Sequence, residues 1–282
     1  MLKKTVSLVL GVLIMCFAFT GCSSANTGNI SAGNEISSEK NTEVSVTEEL
    51  NVFAAASLTE SFTEIAEAFE QENNVKVVLN FAGSQALYTS IDQGAEADVF
   101  ASANTKYMKQ LTESKMVGDS NIFVKNGLVI GVMKDSEFKI ESLKDLTQEG
   151  LILVAAEDSV PVGNYFYKAL DNALEAKTLA EDDKEKILNN IKSKEVDVKS
   201  VLSKVLLKEA DACIVYKTDV TEAAKENVNI VESSDFDSVI AEYPIAVMEN
   251  SKNKELANKF IEFVMNSEKG KETMEQYGFI LP

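Results

Sequence analysis

The chain has 282 residues and a formal net charge of −18, from 45 acidic residues against 27 Lys, with no His, Arg or Trp. Such a surface repels nucleic acid and anionic membrane. The missing residue types exclude Ser-His-Asp and Cys-His catalysis, imidazole metal sites and bidentate Arg clamps, so a bound anion has to be held by N–H groups, hydroxyls or Lys.

Residues 1–21 carry an early basic pair (Lys3, Lys4), an apolar run from Val6 to Phe19 and a small-residue end before Cys22. The run is too short to span a bilayer and fits a signal peptide. Phe19-Thr20-Gly21-Cys22 resembles a bacterial lipobox, which implies lipidation of Cys22 and a membrane-anchored, extracytoplasmic protein. Residues 22–48 are Ser, Asn, Gly and Glu with almost nothing to pack, the composition of a disordered linker. Of the three cysteines, Cys16 and Cys22 belong to the leader region and Cys213 sits in an apolar strand pattern. No disulfide framework is expected.

From Leu50 onward apolar runs alternate with helical patterns. NVFAAA precedes a helix from Ser57 to Glu72, VKVVLNFA (75–82) a helix near Ser84 to Asp92, and ADVFASA (97–103) a helix from Thr105 to Lys115. Such alternation predicts parallel strands with crossover helices, and ligands on such sheets collect where strands end and helices begin. Ser57 and Ser84 both fall at these junctions, where helix N–H groups and the positive end of the macrodipole favour an anion. The competing reading of each is a helix cap.

NIFVKNGLVIGVMKD (121–135), broken by Gly127 and Gly131, reads as the crossing into a second lobe. There LILVAAED is followed by an irregular turn at Pro161-Val162-Gly163-Asn164 that exposes backbone N–H groups. A helix is expected from Leu174 to Asn190 and another from Asp197 to Lys208, and ADACIVYKTDV places Tyr216 at a strand end. EYPIAV (242–247) returns to the first lobe, on which a helix from Lys254 to Met265 should dock. Lobe 1 is then 49–126 with 243–282, and lobe 2 is 127–242.

FAAASLT (53–59), FAGS (81–84), ADVFASA (97–103), VPVGNY (160–165), DVKSVL (197–202), IVYKTDV (214–220), EYPIAV (242–247) and YGFILP (277–282) resemble, in this order, the substrate-binding proteins of bacterial molybdate ABC transporters. The resemblance implies an α/β, type II periplasmic-binding-protein fold: two α/β lobes joined by two crossing strands, with an oxyanion in the cleft. It implies hydroxyl and N–H donors from Ser57 and Ser84, backbone N–H donors from Val162 and Val198, and the hydroxyl of Tyr216. Val162 stands where Ala is usual in the family, and Lys199 where Arg is common. No cofactor is expected beyond the ligand, molybdate or tungstate. The expected partners are a membrane permease and, through Cys22, the membrane, with the protein itself a monomer.

A binding protein for another small oxyanion, such as sulfate or a phosphonate, would use the same donors. A secreted enzyme on a two-lobed fold is the reading from another class. Asp98 and Asp219 near strand ends are its candidates, but the sequence offers no paired-carboxylate motif or metal cluster, and the expectation is a protein without enzymatic activity.

Overall fold

The structure is a computed structural model and describes residues 48–282. The leader, Cys22 and the linker up to residue 47 lie outside the described residues. Among the described residues no helix is long and apolar enough to cross a membrane.

The first part of the chain runs β1 (Glu49–Ala55), a 3-10 turn (Ala56–Leu58), α1 (Thr59–Asn73), β2 (Lys76–Ala82), α2 (Ser84–Asp92), β3 (Val99–Ala101), α3 (Thr105–Glu113) and β4 (Asn121–Asn126). After Gly127 it continues as β5 (Leu128–Met133), β6 (Leu153–Ala156), α4 (Pro161–Glu175), α5 (Glu181–Asn190), β7 (Ile191–Glu195), α6 (Val198–Leu206), β8 (Ala212–Tyr216) and β9 (Val228–Val231). It closes with β10 (Ala241–Val247), α7 (Lys254–Asn266) and α8 (Glu268–Gln276).

The strands form two five-stranded sheets, ordered β2-β1-β3-β10-β4 and β7-β6-β8-β5-β9. β1 pairs in parallel with β2 and β3, and β6 in parallel with β7 and β8. The antiparallel member is in each case the strand by which the chain enters that lobe from the other, β10 in the first sheet and β5 in the second. The two lobes therefore repeat one topology, and the crossings run through Gly127 and through residues 232–240. This is the type II periplasmic-binding-protein architecture.

Burial explains why the central strands were legible. Val52 to Ala55, Val99 to Ala101 and Ala212 to Tyr216 are buried throughout, the continuous apolar signature of strands covered on both faces. α1 turns Phe62, Ile65, Ala66 and Phe69 inward. Phe260 of α7 meets Phe69 and Phe62 nearly edge-on, with ring centroids 5.2 and 6.0 Å away, so the C-terminal helix docks on the first lobe as expected.

Several boundaries differ from expectation. Pro161-Val162-Gly163 is not an irregular turn but the first turn of α4, with Pro161 at a position where its missing N–H costs nothing. A Cβ on Gly163 would lie 2.1 Å from the Glu157 carbonyl oxygen, so glycine there lets the helix start press against the strand end. The single helix expected over 174–190 is two, because α4 stops at Glu175 and α5 begins at Glu181. β7 (IKSKE) escaped the pattern reading because it is a half-buried edge strand whose exposed face carries Lys192 and Lys194.

Candidate anion-binding site

The carboxyl ends of β1, β2, β6, β7 and β8 converge from the two lobes on a narrow cavity. It is lined by Ala55, Ala56, Ser57, Gly83, Ser84, Ala103, Val160, Pro161, Val162, Val198 and Tyr216. All five residues singled out in the sequence are in this lining. The cavity measures about 10 Å³, the scale of one water or one small ion, where pockets for organic ligands run to hundreds of Å³.

Each side of the cavity is made by helix starts. Neither serine caps its helix. Ser57 lies in the 3-10 turn ahead of α1 and Ser84 is the first residue of α2, and neither N-terminus has a side-chain cap bond. From the second lobe come Val162 in the first turn of α4 and Val198 opening α6, whose cap is Asp197 accepting from Ser200 N at 2.8 Å. First-turn N–H groups have no acceptor inside their own helix, so four helix starts aim unpaired donors and their dipoles at one point.

The hydroxyls complete the set. Ser84 Oγ accepts from Ala103 N at 3.0 Å, which leaves its own O–H free to donate. Ser57 Oγ lies 2.9 Å from Tyr243 Oη. Tyr216 is about 1% exposed, and its hydroxyl has no hydrogen-bond partner among the described residues. The ring of Tyr243 packs near edge-on against it with centroids 5.8 Å apart. A buried unpaired hydroxyl costs about 1 to 3 kcal/mol, and an acceptor in the cavity would repay that cost. Burial holds the hydroxyls of Tyr216 and Tyr243 well above the usual phenol range, so both remain neutral donors.

Lys199, next to Val198 in the chain, is already committed. Lys199 Nζ donates to both carboxylate oxygens of Glu60 at 2.8 Å and sits 3.6 Å from Asp219 Oδ1. Asp219 is buried, takes Tyr216 N on its other oxygen at 3.1 Å, and has its carboxyl pushed up to about 6, mainly by burial. Asp98 is buried at the amino end of β3, away from the cavity, where it accepts from Asn51 N at 2.8 Å and from Ser251 Oγ. Both carboxylates brace the backbone. No group of three His, Cys, Asp or Glu among the described residues could hold a metal ion.

Sequence reasoning missed Tyr243 and Asn126. Neither lines the cavity, and both act from behind Ser57. An Asn at the end of a strand and a Tyr inside another carry no motif that would have marked them.

Over residues 50–280 the sequence matches the model of a family described as bacterial extracellular solute-binding protein. The chain belongs to that family. This solute-binding protein is 36% identical over 233 residues to the molybdate-binding protein ModA of Mycobacterium tuberculosis H37Rv, covering 82% of this chain and 84% of that one. It is 30% identical over 279 residues to a putative ABC transporter substrate-binding lipoprotein, YvgL, of Bacillus subtilis, covering 98% of both chains. Among solved structures, the substrate-binding domain of a putative molybdenum ABC transporter from Clostridium difficile aligns with a TM-score of 0.62 and 34% identity, covering 84% of this chain and all of that one.

Proposed function

We propose that this solute-binding protein captures molybdate, and tungstate as its near-isostere, outside the cytoplasm and presents it to the permease of an ABC transporter. The observation that carries the proposal is the donor set: helix starts of both lobes and three hydroxyls, one of them buried without a partner, facing a cavity of single-ion size. Ser57, Ser84, Val162, Val198 and Tyr216 supply the donors. Hydrogen bonds to a charged acceptor each net about 1.5 to 3 kcal/mol, so a ring of neutral donors binds a dianion tightly with no unpaired buried charge. The names of the relatives support molybdate as the ligand. No cofactor beyond the bound oxyanion has a role in this reading, and the protein acts by binding without catalysing a reaction. Sulfate has the same acceptor geometry, so the donor set admits it as a second reading, and cavity radius is what separates the two.

Similarity to the Bacillus subtilis lipoprotein across nearly the whole chain supports lipidation of Cys22, with the polar linker as tether. Lobe 1 comprises residues 49–126 and 241–282 and lobe 2 residues 127–240, and closure of the two around the anion is the state a permease would recognise.

Calorimetric titration of the purified protein with molybdate, tungstate, sulfate and phosphate tests the proposal. Stoichiometric binding of the first two alone is expected. Binding of sulfate with equal affinity would move the assignment to the second reading, and no binding of any of the four would overturn both.

A further inference from the structure

The direction of the Ser57 hydroxyl is fixed by a chain of hydrogen bonds that begins at the crossing between the lobes. Gly127 N donates to Asn126 Oδ1 at 3.0 Å, which settles the orientation of the Asn126 amide. Its Nδ2 then donates to Thr218 Oγ1 at 2.8 Å and to Tyr243 Oη at 3.3 Å. The Tyr243 hydroxyl has two partners among the described residues, Asn126 Nδ2 and Ser57 Oγ. An amide NH₂ has no lone pair to offer. Tyr243 is fully buried, so its proton has to go to Ser57 Oγ or stay unsatisfied at a cost of about 1 to 3 kcal/mol. With one of its two lone pairs taken by Tyr243, Ser57 has its own proton free to turn to the cavity. Ser84 reaches the same state by another route, since Ala103 N takes one lone pair of its oxygen.

We propose that Asn126 and Tyr243 are positioning residues that hold Ser57 as a donor toward the cavity, and that they thereby contribute to its selection for fully deprotonated oxyanions. The inference rests on the oxyanion reading of the cavity. A hydroxyl carries one O–H donor and two acceptor lone pairs, and a serine free to rotate would accept the O–H of hydrogen phosphate as readily as it would donate to molybdate. Holding both serines as donors, each with one lone pair already used, puts protons where that O–H needs an acceptor. Discrimination of this kind comes from denying the competitor a partner.

The test is the ratio of the dissociation constants for phosphate and molybdate, measured by competition calorimetry on the full chain at pH 7. Tyr243→Phe keeps the ring that packs on Tyr216, Phe123 and Phe279 and removes only the hydroxyl that points Ser57. Molybdate affinity should fall about tenfold, and the phosphate-to-molybdate ratio should shrink by a further factor of about ten, because the freed Ser57 oxygen accepts from hydrogen phosphate. Asn126→Leu, which frees the Tyr243 oxygen to accept from Ser57 instead, should narrow the ratio in the same direction. If the unsubstituted protein binds molybdate but either folded variant loses affinity for all anions in proportion, with the ratio unmoved, the role is structural and the inference fails. If the unsubstituted protein binds no oxyanion, the functional reading itself fails and takes this inference with it.

Discussion

Lys199 of the second lobe holds both carboxylate oxygens of Glu60 in the first at 2.8 Å, one residue from Val198 and three from Ser57. The pair spans the cleft beside the cavity. Two further contacts do the same: Gln85 Nε2 donates to Val196 O at 2.6 Å, and Tyr107 Oη donates to Ser159 O. The closed arrangement is thus clasped at three places around its ligand site, each by a neutral or neutralised pair.

Glu60→Gln removes the cleft-spanning ion pair and leaves Lys199 to Asp219. The pair is about a third exposed, so its worth is that of a screened surface bridge, about 1 kcal/mol at most. Molybdate affinity should fall about threefold to fivefold at low salt, and the difference should vanish near 1 M salt. Calorimetry at two salt concentrations reads this out, and a loss independent of salt would mean that the pair does not favour closure.

Gly83 lets the lobes meet. A Cβ there would stand 2.6 Å from Val196 O, a backbone atom of the opposite lobe, and 2.5 Å from the Gln85 side chain. Gly83→Ala should prop the cleft open, weakening oxyanion binding at least tenfold while the unliganded melting temperature stays within about 2 °C. Small-angle scattering should show the native protein contracting on ligand addition and the variant failing to. Equal contraction would place the steric argument in error.

Tyr216→Phe should move stability and affinity in opposite directions. It deletes a buried hydroxyl that has no partner, so the unliganded protein should gain about 1 to 3 kcal/mol, while binding loses one donor and weakens about tenfold or more. Thermal melts with and without molybdate measure both. A variant less stable without ligand would mean that the hydroxyl is satisfied within the protein.

Asp219 gives a pH dependence with a definite sign. Its carboxyl is raised by burial to about 6 against an ordinary 3.8, so between about pH 4 and 6 the folded state binds the proton more tightly than the unfolded chain. Stability contributed by this group therefore falls as pH rises through that window and is flat above it, by up to about 3 kcal/mol. Asp219→Asn should remove the slope. Urea midpoints at pH 4.5 and 7 for both proteins check it, and an unchanged slope would exclude Asp219 as its source.

Cys213 is fully buried and its thiol is pushed up to about 12 by that burial. It should resist iodoacetamide in the native protein and react only on unfolding. Rapid native labelling would mean that the second sheet opens far more readily than its packing suggests.

How much of this could be read in the sequence follows from burial and from locality. The central strands and the strand-to-helix junctions are local and apolar, and Ser57 and Ser84 announce themselves there. Val162 and Val198 did not. A backbone donor has no side-chain signature: the family resemblance alone marked Val198, and Val162 had besides it only its place in the turn expected at Pro161 and Gly163. β7 and β9 were missed because short edge strands mix Lys, Asn and Glu with their apolar residues. The Asn126–Tyr243–Ser57 chain joins residues 117 and 186 positions apart. No pattern within a window of residues can show a partnership of that range.

The division of the donor set between the lobes governs how cargo leaves. Ser57 and Ser84 travel with one half of the molecule, Val162, Val198 and Tyr216 with the other. Pulling the halves apart breaks the coordination shell into two fragments, each too sparse to compete with water for a dianion. Unloading then requires no rival anion, proton or chelator. On the proposed function, mechanical separation at Gly127 and residues 232–240 would suffice, and a docked permease would need only leverage.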